Sequence, residues 1–484
     1  MEELDTLYPP DSDLDLSFTS CASVTTTTTD RTLSARSSLA RSSLTLSFND
    51  RLSCTSTTNN PSAEIPNFHR RAHRQHDPNW SAIKAATTLS SDGALHLRHL
   101  KLHRPVGSGN LGRVFLCRLR DYDHANFALK VIDRDALAAK KLSHVQTEAE
   151  ILSSLDHPFL PTLYAHLEVS HYTCLLIDFC PNGDLHNLLR KQPGNRLPVQ
   201  SVRFYAAEVL IALEYLHSLG IVYRDLKPEN ILIREDGHIM LSDFDLSFKS
   251  DVSPKLDFTT RVQEGLKGRY SCYGDRQREE TVTEFVAEPT GAFSKSCVGT
   301  HEYLAPELIS GAGHGNGVDW WAFGVLLYEL LYGTTPFKGN SKESTLRNIT
   351  SSKGVKFYVN ETQSVEPGMA ELKDLIEKLL VKDPRRRLGC ARGATDIKRH
   401  PFFNGITWPL IRTYRPPEVR GLTMKRTKSK AHVISHVTGG ASSPRRRWWW
   451  KRLGYLMRIK GSKYNLNSNH NYYCHTNHKV RKCA

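Results

Sequence analysis

The chain has 484 residues, 39% of them apolar and 24% charged, enough for a large folded core with flanking segments. No apolar run approaches the roughly 18 residues that span a membrane, and Met1-Glu2-Glu3-Leu4-Asp5 is acidic, unlike a secretory signal. Ten cysteines, scattered from Cys21 to Cys483 without a C-x-x-C pair, suit a reducing compartment and argue against structural zinc or a disulfide framework. Residues 1–97 are rich in serine, threonine, asparagine and arginine, and they sustain no apolar periodicity. Disorder is the expectation there. Ala35-Arg36-Ser37-Ser38-Leu39 recurs as Ala40-Arg41-Ser42-Ser43-Leu44, either low-complexity drift or a pair of phosphorylation sites.

The first motif is Val106-Gly107-Ser108-Gly109-Asn110-Leu111-Gly112-Arg113-Val114, the pattern G-x-G-x-x-G-x-V. Glycines let backbone close over phosphates and turn its amides toward their oxygens. A glycine triplet alone also fits a dinucleotide-binding strand–turn–helix. The next segment separates the two. Phe127-Ala128-Leu129-Lys130-Val131 is a short apolar strand with one lysine placed to grip phosphates, whereas a dinucleotide unit wants an acid about 20 residues on. A helix between Ala136 and Leu155 offers Lys130 a carboxylate. Glu148 and Glu150 compete for that place, and the apolar pair Ile151-Leu152 that follows favours Glu148.

Farther on, Ile221-Val222-Tyr223-Arg224-Asp225-Leu226-Lys227-Pro228-Glu229-Asn230 precedes Ser242-Asp243-Phe244-Asp245. This order of aspartate, lysine, asparagine and aspartate is that of a phosphoryl-transfer site. Asp225 would accept the proton of an attacking hydroxyl. Asn230 and Asp243 offer hard oxygen ligands for Mg2+.

Together these segments resemble a serine/threonine protein kinase. The resemblance implies an α+β bilobal fold, a small mostly-β lobe over a large mostly-α one, using ATP and Mg2+. It implies a kinase domain over 100–403 with an activation-segment insertion at about 250–293. Cys174-Leu175-Leu176-Ile177-Asp178-Phe179-Cys180 would lead into the hinge, where backbone groups of Asp178 and Cys180 meet adenine while Val114, Ala128 and Leu232 pack its faces. Asp184 would meet the ribose. Lys227 and Thr300, touching Asp225, favour a serine or threonine acceptor. Ala305-Pro306-Glu307 closes the activation segment, with Arg387 as the expected buried partner of Glu307, and Asp319 would brace the catalytic loop.

Tyr223 before Arg-Asp, the run Gly299-Thr300-His301-Glu302-Tyr303-Leu304-Ala305-Pro306-Glu307 and the ending His400-Pro401-Phe402-Phe403 resemble the AGC kinases. Asp245 where most kinases carry glycine, with the long segment from Asp243 to Glu307, resembles the plant group containing the PINOID and WAG kinases, and the flanks are most like the WAG branch. Glycine at that position lets the backbone swing, and aspartate tolerates left-handed geometry better than most residues. An active enzyme with altered switching is the expectation; a pseudokinase or membrane-bound scaffold is the alternative. Asp184, Glu229 and Glu329 match positions that face a substrate arginine in arginine-directed AGC kinases, and Ser296 matches the AGC activation-loop phosphosite, with Ser294 beside it. A phosphate at Ser296 would pair with Arg224. The resemblance implies cytosolic loops of PIN-type auxin-efflux carriers of the plasma membrane as protein substrates. An upstream activating kinase is implied, although no Phe-x-x-Phe docking segment is visible.

Residues 404–484 form an AGC-type C-terminal region with a basic, tryptophan-rich tail. After Glu418 no acid remains, while 16 lysines and arginines follow, so the net charge of +15 belongs to this tail. Its centre, Arg445-Arg446-Arg447-Trp448-Trp449-Trp450-Lys451-Arg452, suits anionic membrane lipid, because tryptophan rests in the headgroup region and each nearby basic residue adds about 1 kcal/mol. The expectation is a peripheral monomer on the cytosolic face of the plasma membrane with no structural nucleic-acid partner; cytoplasm and nucleus are the alternative.

Overall fold

A computed structural model describes residues 72–422, apart from 75–76, 89, 121, 253, 263–278 and 359–365. The small lobe begins earlier than expected. Helix α1 (Pro78–Thr88) precedes five strands, β1 (Leu100–Ser108), β2 (Arg113–Leu119), β3 (Tyr122–Asp133), β4 (Leu163–Val169) and β5 (Tyr172–Asp178), with helix α2 (Ala139–Ser154) between β3 and β4. The strands form one antiparallel sheet in the order β1-β2-β3-β5-β4.

Alternation along β3 explains both faces of this sheet. Phe127, Leu129 and Val131 point to one side, where Trp80 and Ile83 of α1 and Leu95 and Leu97 complete a buried cluster. The Trp80 ring lies 4.9 Å from that of Tyr164, which meets Phe127 edge to face at 5.1 Å. Part of the segment 1–97, expected to lack packed structure, is therefore core: the apolar residues of 80–97 are too widely spaced to show as a periodic run. On α2, Val145, Glu148, Ala149 and Leu152 form the buried stripe at helical spacing. Glu150 falls on the exposed side, so the helix period settles which glutamate turns inward.

In the large lobe, Asp184 caps α3 (Leu185–Arg190) and is followed by α4 (Val199–Ser218). Short antiparallel pairs then carry the catalytic segment: β6 (Ile221–Val222) with β9 (Phe248–Lys249), and β7 (Ile231–Ile233) with β8 (Ile239–Leu241). The expected insertion contains a hairpin, β10 (Lys255–Val262) with β11 (Glu279–Val286), in register from Lys255 opposite Val286 to Val262 opposite Glu279. After α5 (Pro306–Ser310), helix α6 (Gly317–Tyr332) is apolar almost all round, as a helix at the centre of a lobe must be, and Trp320, Trp321 and Phe323 are fully buried. Helix α8 (Met369–Leu379) packs against it, while α7 (Lys342–Thr350) lies against α5 and α9 (Ala394–Lys398) against α4. Beyond them Gln192 donates to the Arg420 carbonyl at 2.7 Å, tying the C-terminal region back to the lobe. The tryptophan-rich tail lies outside the described residues. Among the described residues no helix is long and apolar enough to cross a membrane.

Candidate active site

The glycine loop joins β1 to β2. Gly107 and Gly109 have open space beside them, whereas a Cβ on Gly112 would sit 2.2 Å from the Val131 carbonyl oxygen. Glycine is required there because β3 passes so closely. The expected loop residues Val106, Ser108, Asn110 and Arg113 lie in or beside this turn, but Leu111 is 4% exposed and packs in the core cluster with Ile132 and Val145. Below the loop, Lys130 Nζ donates to Glu148 Oε1 and Oε2 at 2.6 and 2.7 Å and to Asp243 Oδ1 at 3.2 Å. Burial alone would lower the lysine pKa; the carboxylates of Asp243 and Glu148 overcome it and hold the ammonium above its ordinary value. The lysine is thus a fixed cation.

The hinge aspartate is held from behind. The side chain of Asp178 accepts from Thr162 N at 2.8 Å and Tyr164 Oη at 2.9 Å, and Arg74 Nη2 approaches at 3.4 Å. Cys180 is half-buried with Sγ 3.7 Å from Met240 Sδ, and burial pushes its thiol up to about 12. Val114 and Ala128 lie on β2 and β3, and Leu232 on β7 pairs with Met240 and bridges Asp184.

Between β6 and β7 the catalytic residues converge. Asp225 Oδ2 accepts from Lys227 Nζ and Asn230 Nδ2, each at 2.8 Å, and Oδ1 faces Thr300 Oγ1 at 3.4 Å. Lys227 also reaches Thr300 Oγ1 at 3.1 Å. Burial raises the Asp225 pKa, and Lys227 opposes that shift. Asn230 directs Nδ2 to the Asp225 carbonyl as well, at 2.9 Å, so both amide protons are engaged and its amide oxygen is left as the ligand atom. Together with the Asp243 carboxylate, this donor set fits a hard divalent cation. Asp319 braces the loop as expected, accepting from Tyr223 N at 2.8 Å and Arg224 N at 2.7 Å. The loop needs this support because Arg224 holds φ 66°, the left-handed region that a long side chain occupies only under constraint.

Asp245 stands apart from its neighbour Asp243 in both backbone and burial. The left-handed residue of this motif is Asp243, at φ 62°, while Asp245 has negative φ and no strain. Its distinction is burial: Asp245 is 5% exposed, and Oδ1 has no hydrogen-bond partner. Burial first, and then the charge on Asp243, push its pKa up to about 8.

A protein kinase domain profile matches residues 100–265 and 280–403. The chain is 63% identical over 489 residues to the serine/threonine-protein kinase WAG1 of Arabidopsis thaliana, covering 98% of this chain and 99% of that one. It is 62% identical to WAG2 of the same plant across the full length of both, and 51% identical to the protein kinase PINOID of Oryza sativa subsp. japonica over 72% of this chain and 75% of that one. The chain belongs to the plant AGC kinases of the PINOID/WAG group.

It is accordingly a serine/threonine protein kinase, of a family that uses ATP and a divalent metal. On the substrate side of this kinase the expected carboxylates differ in setting. Asp184 caps α3, its two oxygens accepting from Asn187 N and Nδ2 at 2.7 Å. Glu229 is 43% exposed at its side chain, 3.9 Å from His186. Glu329 accepts from Tyr303 Oη at 2.6 Å; burial raises its pKa to about 7, and Glu229 and Glu302 add to the shift.

In the activation segment, Arg224 Nη1 donates to Ser294 Oγ at 3.3 Å, and Ser296 N donates to the same oxygen at 3.2 Å. Arg224 thus meets the Ser294 hydroxyl, and the unphosphorylated Ser296, whose phosphate is expected to pair with this arginine, is exposed. The Ser294 backbone forms an antiparallel bridge with His314. Sequence reasoning also missed His217 and Glu288, which carry no motif and meet only through folding. Arg387 and Glu307 pair as expected, bidentate at 2.6 and 2.9 Å.

Proposed function

We propose that this kinase transfers the γ-phosphate of ATP with Asp225 as the base for a serine or threonine hydroxyl. The supporting observation is the closed constellation of Asp225, Lys227, Asn230 and Thr300 beside Lys130, Glu148 and Asp243. Lys130, immobilised by Glu148, binds the α- and β-phosphates. Asn230 and Asp243 would hold Mg2+, and the ion would neutralise charge on the transferring phosphoryl group. Asp225 orients the attacking oxygen and takes its proton, and Lys227 and Thr300 keep the carboxylate in place. The test is radiolabel transfer from ATP to a basic peptide by the purified full chain. Asp225→Ala or Asp243→Ala should each lower transfer at least about 1,000-fold, the scale of losing catalytic positioning and charge stabilisation together. Variants that turn over like the parent would remove these assignments.

The same reading extends to substrates and place. Asp184, Glu229 and Glu329 would select arginine upstream of the acceptor. Kinship with the PINOID and WAG kinases supports cytosolic loops of PIN auxin-efflux carriers as substrates, in auxin signalling. The basic, tryptophan-rich tail supports a position at the cytosolic face of the plasma membrane.

A further inference from the structure

We infer that Glu288, at the end of the activation-segment insertion, is a positioning residue that holds the catalytic loop in place through His217 and Asp319. The inference rests on the assignment of Asp225 as base. Glu288 follows β11 by two residues and is 5% exposed. Its Oε2 accepts from His217 Nδ1 at 2.8 Å and Asn316 Nδ2 at 2.8 Å, and its Oε1 from Ala394 N at 3.3 Å. Those donors come from the end of α4, the cap of α6 and the start of α9, so one carboxylate joins three helices. The pocket is built for it: Gly393 stands at φ 60°, and a Cβ there would lie 1.6 Å from Glu288 Oε1.

His217 is fully buried, and its other nitrogen, Nε2, lies 2.9 Å from Asp319 Oδ2. An imidazole that meets a carboxylate at each nitrogen donates from both and is an imidazolium. Burial would discharge it, but the Glu288 carboxylate and the bond to Asp319 raise its pKa to about 10. Asp319 in turn holds the amides of Tyr223 and Arg224, the residues directly before Asp225. Without the Glu288 charge, a buried imidazolium loses one of its two counter-ions. It then gives up its proton, and Asp319 is left as a buried carboxylate facing neutral donors. The catalytic loop, strained at Arg224, is held less firmly as a result.

The experiment uses the full chain, comparing parent, Glu288→Gln and the exchanged pair Glu288→Gln/Asn316→Asp, which returns one carboxylate to the same pocket. Glu288→Gln should lower kcat at least about tenfold with KM for ATP within about twofold, a loss of positioning without loss of ground-state binding. Amide exchange should quicken at Tyr223 and Arg224 and stay unchanged in the five-stranded sheet. The exchanged pair should recover most of kcat. Parental kcat in Glu288→Gln, or a loss that the exchanged pair does not recover, overturns the inference. Since the parent must transfer phosphate in the same assay and Asp225→Ala must not, failure of Asp225 as base is read separately. A second measurement needs no altered Glu288: nitrogen NMR of the parent at pH 8, with His217 assigned by its absence in His217→Gln. Two protonated ring nitrogens are expected, and a neutral ring overturns the inference even where Glu288→Gln does not fold.

Discussion

Single side chains in this kinase owe their chemistry to how much water reaches them. Glu148 and Glu150 are two residues apart on one helix, yet one is a buried counter-ion and the other faces solvent. Glu329 shows the same control with a consequence for pH. Its pKa stands at about 7, raised by burial and by Glu229 and Glu302, so it gains a proton and loses its charge as pH falls through neutrality. On the proposed role of Glu329, a substrate arginine would then meet one carboxylate fewer. KM for an arginine-containing peptide should rise as pH drops from 8 to 6, and Glu329→Gln should show a high, flat KM across that range. The ratio at pH 8 should be about tenfold or more, since a hydrogen bond to a charged group contributes about 1.5–3 kcal/mol. Equal KM values for parent and variant at pH 8 would release Glu329 from this role.

At the scale of elements, two packings outside the catalytic motifs carry stability. Helix α1 closes the far face of the small-lobe sheet through Trp80. Trp80→Ala should cost about 3–5 kcal/mol, the usual range for a buried tryptophan, read by urea or thermal unfolding. A change below about 1 kcal/mol would mean that α1 adds little to the lobe in solution. His217 ties α4 to Glu288 and Asp319, and its contribution depends on pH with a definite sign. Its folded pKa of about 10 lies above the unfolded value of about 6.5, so the folded state binds the extra proton between them. The stabilisation is complete below pH 6.5 and is lost as pH rises through 10, at up to about 1.4 kcal/mol per pH unit. His217→Gln should flatten the alkaline limb of the stability profile by that slope, and an unchanged limb would show that the group does not titrate with unfolding.

At the scale of the whole molecule, charge is segregated. Sixteen of the 65 basic residues follow Glu418, where no acid remains, and three adjacent tryptophans sit among them. A polybasic run and an interfacial aromatic cluster are two weak anchors that act together where either alone is insufficient. Vesicles containing phosphatidylserine should bind the full chain, and binding should weaken as salt shortens the screening length below about 10 Å. Replacing Trp448, Trp449 and Trp450 by alanine should release the kinase from the cell edge while leaving peptide phosphorylation unchanged. A variant that stays at the membrane would place the anchor elsewhere.

The amino-acid sequence alone determined the phosphoryl-transfer site, because its parts are short contiguous runs whose spacing reflects local chemistry. Gly107 to Gly112, Lys130, Asp225 to Asn230 and Asp243 were legible for that reason, whereas the pairing of Glu307 with Arg387, 80 residues apart, followed from the kinase resemblance. Only the tertiary structure decided the long-range contacts that no motif marks. Arg74 reaches Asp178 across 104 residues, and Glu288 reaches His217 across 71, with no pattern in either segment to announce it. Arg224 reaches the Ser294 hydroxyl across 70 residues, in a segment whose backbone bridges to His314. Such contacts are set by the packing of helices and strands, and the free energy that selects them is spread across the whole core rather than written in any one stretch of chain.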